Sequence, residues 1–247
     1  MTRFVLVRGL AREAGHWHDF DAALRAHVPE CTVERIDLPG NGSRWRERSP
    51  ISTAEMAVAL RSAVWDASDE PPVVIAISLG AMVGLDWLRR WPADPLRGLV
   101  AINTSVGGVC RAWERLQPRA MVTTLRTIGV RDPVARELEV LALTTTEHRR
   151  DRELAEVHAG FHAARPIARA NVLRQMAAAV RFRAPRLSTR VPILILNSAF
   201  DRMVAPRCSA KIAAAYGATL ERHPSAGHDL TLDDPNWCAE QTAAWLR

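Results

Sequence analysis

Lysine is nearly missing: of 33 basic residues in a chain of 247, Lys211 is the one lysine and the rest are arginine. The formal charge of +6 comes with no run of roughly five or six basic residues and no recognised nucleic-acid motif. Arginine beside so much alanine reads as codon bias, and nucleic acid is set aside as a partner. Cysteine is also sparse. Cys31, Cys110, Cys208 and Cys238 show no CxxC or other ligand-like spacing, which argues against a zinc site and a disulfide framework and for reduced thiols. No apolar run reaches the roughly 18 residues that cross a bilayer. The apolar stretch in MTRFVLVRGL lacks the length and the small-residue cleavage site of a secretion signal. It reads as a first buried strand in a cytoplasmic protein.

What is present is an alternation of short apolar runs with helical patterns. The runs are Phe4 to Val7, Thr32 to Ile36, Val73 to Ile77, Leu99 to Ile102, Ile193 to Leu196 and Ala218 to Arg222. Continuous apolar runs indicate strands covered on both faces, as in a mostly parallel sheet flanked by helices, so the fold class is α/β. STAEMAVALRSAVWDA has helical periodicity with Ser52 or Thr53 as its cap, and DPNWCAEQTAAWLR begins with Asp234 capping and Pro235 at the first helical position. Between residues 105 and 189 the strand signal vanishes, leaving four or so helices broken near Pro118, at VRDP and at ARP. A structureless connection of that size is rare in a compact domain, so this stretch is expected to be an inserted helical cap on a core made of residues 1–104 and 190–247. Residues 105–190 hold 16 Arg against 8 Asp and Glu, so the insertion carries the positive charge of the whole chain.

PPVVIAISLGAMVGLDWLRRWP, residues 71–92, runs from an apolar strand into a helix with Ser78 at the join. A sharp reversal there forces strained backbone on the turn residue and needs small neighbours, which Ala76 and Gly80 are. The turn lifts the hydroxyl above the sheet, and the helix start offers the Leu79 amide to an anionic intermediate. The competing reading is that Ser78 only caps the helix. A serine hydroxyl needs a base held by a third group. Asp201, in AFDRMVAP, and His228, in SAGHDL, both follow predicted strands, where ligands of open α/β sheets bind. The order Ser, Asp, His is that of the α/β-hydrolases. Taken singly, Asp201 reads as a turn or cap residue and His228 as an exposed loop histidine.

Gly9, in FVLVRGLAREAGHW, allows a tight turn that can aim the Leu10 amide at Ser78 as a second oxyanion donor. Arg8 either pins neighbouring loops or contacts substrate, and Trp17 is expected to pack beneath the site; both are candidate substrate-binding residues. His16 and His18 stand two apart in an expected helix start and should face different ways. His158 and His162 share the i, i+4 spacing of some metal sites, but HAGFH has no glutamate beside the first histidine and no third ligand nearby. No metal is expected, and no cofactor.

RGL, DLPGNGSR, AISLG, NSAFDRMVAP and AGHDL together resemble the α/β-hydrolase superfamily over the whole chain. Within it the chain is similar to the pimeloyl-ACP methyl ester carboxylesterase group. The resemblance implies Ser78 as nucleophile, His228 as base, Asp201 as its orienter, and the Leu10 and Leu79 amides as oxyanion hole. Ala76 and Arg8 depart from the family's usual Gly and His. The expected activity is a cofactor-independent serine hydrolase of carboxylic esters acting through an acyl-enzyme. Thioester, lactone or carbon-carbon hydrolysis, cofactor-free haloperoxidation and a non-catalytic binding protein are the alternatives. The arginine-rich cap suggests an acidic acyl group or an acidic acyl carrier as partner, against the alternative of a solvated surface.

Overall fold

Strands that are apolar on both faces can be buried only as the middle layer of a three-layer stack, and the computed structural model, which describes all 247 residues, is such a stack. In chain order the elements are β1 (Thr2–Val7), α1 (Phe20–His27), β2 (Cys31–Ile36), α2 (Thr53–Ala67), β3 (Val73–Ile77), α3 (Leu79–Arg90) and β4 (Gly98–Ile102). Then come α4 (Ala112–Arg115), α5 (Pro118–Gly129), α6 (Pro133–Thr144), α7 (Arg152–Ala164) and α8 (Arg169–Arg181). The chain ends with β5 (Ile193–Ser198), α9 (Arg207–Tyr216), β6 (Thr219–His223), α10 (Leu230–Asp233) and α11 (Pro235–Trp245). All six expected strands form, in one parallel sheet of order β2-β1-β3-β4-β5-β6.

The pleat sends alternate residues to opposite layers. Val5, Val7, Val74 and Ala76 pack beneath α2 and α3, whereas Phe4, Leu6, Val73, Ile75 and Ile77 pack with Phe20 and Leu24 of α1 and Cys238 of α11. The edge strands are less covered and carry the charged pairs Glu34, Arg35 and Glu221, Arg222, which discourages pairing with another sheet. Ser52 accepts from the Ala54 amide at the head of α2, and Asp234 accepts from Trp237 with Pro235 opening α11. No helix is long and apolar enough to cross a membrane.

The stretch between β4 and β5 contains helices only. Pro118 and Pro133 open α5 and α6, and Asp132 and Asp151 cap α6 and α7. Its last helix is anchored: Ala178, Phe182 and Ala184 are buried in the same layer as α3. β1 has β2 on one side and β3 on the other, so the chain reverses its direction of travel across the sheet between β1 and β3. In open α/β sheets such a reversal opens a crevice beyond the strands' carboxyl ends. The loops that carry Leu10 and Ser78 flank it.

Candidate active site

Ser78 sits at φ 55°, ψ -116°, a conformation that strains any residue with a Cβ. The neighbours over-determine it: the Ser78 amide donates to Ile102 O at 2.9 Å, and Thr104 Oγ1 donates to Ser78 O at 2.9 Å. The Ser78 hydroxyl makes no capping bond to α3. Gly80 is required sterically, because a Cβ there would lie 2.6 Å from Val7 O and 2.7 Å from Arg8 O. The β1 loop is equally close, since a Cβ on Gly9 would meet Ser78 Cβ at 3.0 Å and Leu79 N at 3.6 Å. Leu10 N–H donates to nothing in the protein, and Leu79 N–H belongs to the first turn of α3, whose amides lack intrahelical acceptors. Two backbone donors therefore flank the serine where a negative oxygen can be held.

His228 Nδ1 lies 2.8 Å from Asp201 Oδ2, while Asp201 Oδ1 accepts from the amides of Met203 at 2.7 Å and Val204 at 2.9 Å. Burial lowers the basicity of the imidazole, but the charge and hydrogen bond of Asp201 outweigh it, and the pKa of His228 is raised above the ordinary histidine value. With Nδ1 engaged, Nε2 is the nitrogen left for a neighbouring hydroxyl. Ser78 and His228 line one cavity without a direct hydrogen bond between them.

Asn103, Arg8, Asp37 and Gln175 hold these loops. Asn103, at φ 45°, donates from its amide to Ser198 Oγ at 2.8 Å and to His228 O at 2.9 Å, and accepts from Ser198 N–H at 2.9 Å. It thus ties the ends of β4 and β5 to the histidine loop. Arg8 pins loops as one of its two expected roles required: its guanidinium pairs with buried Asp229, reaches Thr231 Oγ1 at 3.1 Å and lies over the Trp17 ring at 5.0 Å. Burial opposes ionisation of Asp229, and Arg8 reverses the balance, leaving its pKa lowered. Arg8 also lines the cavity; Trp17 does not, being buried against Phe20 at a ring distance of 5.3 Å. Asp37 of DLPGNGSR accepts from Ala14 and Ser43 amides at 2.7 and 2.8 Å, and Gln175 of α8 accepts from the Ala11 amide at 2.9 Å. Gln175 carries no recognisable signal for this role in the sequence, whereas Asp37 and Asp229 lie in segments already singled out.

The cavity, of about 390 Å³, has Leu10, Ile77, Ser78 and His228 on its sheet side and Ile128, Val140, Leu143, Ile167 and Val172 on its cap side. Beside it lies a cluster that corrects one expectation. His16 and His18 do not face apart: both rings pack on His158 of α7, with centroids 4.6 and 5.1 Å away. The segment is a single 3-10 turn, Ala14–Trp17, and His18 follows it at φ 45°, which folds its ring back. His158 and His162 part company, His158 into this cluster and His162 into the cavity wall. His16, Glu137 and His158 bring ligand atoms within 4.8 Å of one another. The cation among them is Arg12, whose Nη1 is 2.6 Å from Glu137 Oε2 and 3.0 Å from His16 Nε2.

Solved structures share this architecture. The enol-lactonase from Burkholderia xenovorans LB400 superposes with a TM-score of 0.79 at 17% identity, over 99% of this chain and 91% of that one. A hydrolase from Pseudomonas aeruginosa PA01 gives 0.77 at 21%, over 99% and 89%. A thermophilic esterase from Thermogutta terrifontis gives 0.72 at 20%, over 100% and 90%. At such identities the likeness shows the fold. No curated protein matches the chain significantly in sequence. The model of the alpha/beta hydrolase family matches residues 4–241, nearly the whole chain, which therefore belongs to that family.

Proposed function

We propose that the protein is a serine hydrolase of carboxylic esters. Ser78 attacks the carbonyl carbon, His228 Nε2 takes the hydroxyl proton and returns it to the leaving alkoxide, and Asp201 holds the imidazole and stabilises its protonated form. Water then enters with His228 again as base and releases the acid from Ser78. The Leu10 and Leu79 amides hold the oxyanion, each contributing roughly 3 kcal/mol to lowering the barrier.

One observation carries the reading: a serine held at φ 55° on a strand-to-helix turn lines the same cavity as a histidine whose other nitrogen is bonded to a buried aspartate. Oxygen esters are the first substrates to try, an esterase and a lactonase standing among the structural relatives beside thioesterases. Fluorophosphonate labelling, with hydrolysis of a p-nitrophenyl ester chain-length series, tests it. Wild type should be labelled and active, and Ser78→Ala neither. Labelling of neither protein, or of both, overturns the assignment.

A further inference from the structure

The wall of the cavity carries more positive charge than negative. Five arginines reach its wall, Arg8, Arg12, Arg131, Arg136 and Arg169, against the two carboxylates Glu137 and Asp229. Asp229 is taken by Arg8, and Glu137 by Arg12 at 2.6 Å. Arg131 and Arg169 are exposed. Arg136 is not: its side chain is 21% exposed, and its Nη2 is buried without a hydrogen-bond partner. The nearest carboxylate oxygen, Glu137 Oε1, lies 3.6 Å from its Nε, too far for a hydrogen bond. A buried guanidinium N–H without an acceptor is a costly defect, and such groups in native proteins call for an explanation. The same charge reaches His162 in the cavity wall, whose pKa is lowered first by burial and then by Arg136.

The placement of Arg136 along α6 adds a length. Thr144, at the carboxyl end of α6, receives the Asp229 amide on its carbonyl at 2.7 Å, and so abuts the His228 loop. Leu143, Val140 and Arg136 line the cavity from there toward the helix start, on one face by their spacing. From Thr144 to Arg136 the helix rises about 12 Å. Along α6 the wall is apolar at Leu143 and Val140 and then reaches the Arg136 guanidinium, beside a Glu137 already bonded to Arg12, which matches a substrate with an aliphatic chain and a terminal anion. Guanidinium favours carboxylate because its planar fork can bind both oxygens.

Resting on the ester-hydrolase reading above, we propose that Arg136 is the specificity residue for esters that carry a carboxylate at the far end of the chain lying under the cap, with Arg131 and Arg169 adding to the field. The test compares kcat/KM for the mono-p-nitrophenyl ester of suberic acid with that for p-nitrophenyl octanoate, the same chain without the carboxylate. A second pair, 8-acetoxyoctanoate and octyl acetate, puts the anion on the alcohol side. Wild type should prefer the anionic member of one pair, mainly through KM. Arg136→Met should shrink that preference by roughly ten- to a hundredfold, the range of a charge-assisted hydrogen bond, and Arg136→Lys should restore part of it. Suberate itself, titrated calorimetrically, should bind wild type and bind Arg136→Lys and Arg136→Met more weakly.

A wild type without preference in either pair, or a preference that both variants keep, overturns the proposal. If no ester is turned over at all, the hydrolase reading fails and calorimetry decides the anion site alone: binding of suberate that depends on Arg136 upholds it, and its absence overturns it.

Discussion

Two buried imidazoles, one on the rim of the sheet and one in the cap, each have a carboxylate nearby and are both lowered by burial, yet they end on opposite sides of the ordinary histidine value. His228 is raised, because Asp201 answers burial with its charge and a 2.8 Å hydrogen bond. His158 is pushed down to about 2, by burial first and then by Arg12 and His18. The difference lies in what else claims the carboxylate. Asp201 Oδ1 is occupied by two backbone amides, which leaves Oδ2 to the histidine. Glu137 Oε2 is bonded to Arg12 and stands 3.9 Å from His158 Nδ1, which has no partner. Neutral amides stabilise a carboxylate without removing its negative field, whereas a guanidinium cancels it. Burial weighs on both rings; at His228 Asp201 opposes it, and at His158 Arg12 adds to it.

The largest effect should come from breaking the rim pair. Asp201→Asn keeps the volume but removes the charge and fixes the wrong histidine tautomer, and kcat should fall on the order of 10⁴-fold in a protein with an unchanged circular dichroism spectrum. The acid limb of wild-type kcat/KM should lie above the ordinary histidine value, since the base must be neutral and its pKa is raised; whatever activity remains in the variant should lose that limb's upward displacement. The matching change in the cap, Glu137→Gln, should cost orders of magnitude less. Equal losses would mean that the two carboxylates are not different in kind.

Next in size is Arg12→Met. It leaves buried Glu137 without a hydrogen-bonded cation, Arg136 being 3.6 Å away, and removing one partner of a buried pair typically destabilises by about 3 kcal/mol or more, to be read from urea denaturation. It should also convert the cap site toward the rim pattern, with Glu137 free to serve His158. Imidazole nitrogen chemical shifts followed against pH would then show His158 titrating well above its wild-type range. A His158 that remains neutral to the same low pH would assign its behaviour to burial alone.

The glycines sharpen the same contrast at smaller scale. Gly80→Ala drives a Cβ against two carbonyl oxygens and should destabilise by about 1–3 kcal/mol, with loss of activity as the Ser78 turn is displaced. Gly160 lies inside α7, and a Cβ added there would meet nothing within 4 Å. Gly160→Ala should therefore stabilise by about 0.5–1 kcal/mol. Thermal melts of the two variants check both signs.

The rim was legible because its chemistry is local in sequence. A strand, a small residue, a serine, a small residue and a helix lie within AISLG, and the strand ends that carry Asp201 and His228 are set by the sheet order. The cap site was not legible. His18 meets His158 some 140 residues along the chain through imidazole nitrogens 2.9 Å apart, and His16 packs its ring on the same histidine, whereas a helical reading of residues 14–18 gave them diverging directions. The 3-10 turn carries the His16 ring to α7, and the backbone reversal at His18 brings the second ring beside it. Asn103 is similarly silent: its neighbours in INTS give no reason to expect that its amide would tie together β4, β5 and the histidine loop. Arg136 looks like any of the cap's arginines until the partners of the others are known.

The last contrast between the two imidazoles concerns stability against pH. An imidazole with a lowered native pKa binds its proton in the unfolded chain first, so its contribution is complete above about 6.5 and is lost as the pH falls toward the native value, by up to about 1.4 kcal/mol per pH unit for each group. His158, His16, His18 and His162 all have this sign. His228 has the opposite one: its contribution is present below about 6.5 and disappears as the pH rises through its raised native value. The lowered histidines outnumber it, so the melting temperature should fall between pH 6.5 and 5, before most carboxylates titrate. His158→Asn should flatten that slope while leaving the acid limb of activity in place, because the limb belongs to His228. A slope that His158→Asn leaves untouched would transfer the effect to the other three rings, and a melting temperature that rises on acidification would make His228 the stronger of the two sites.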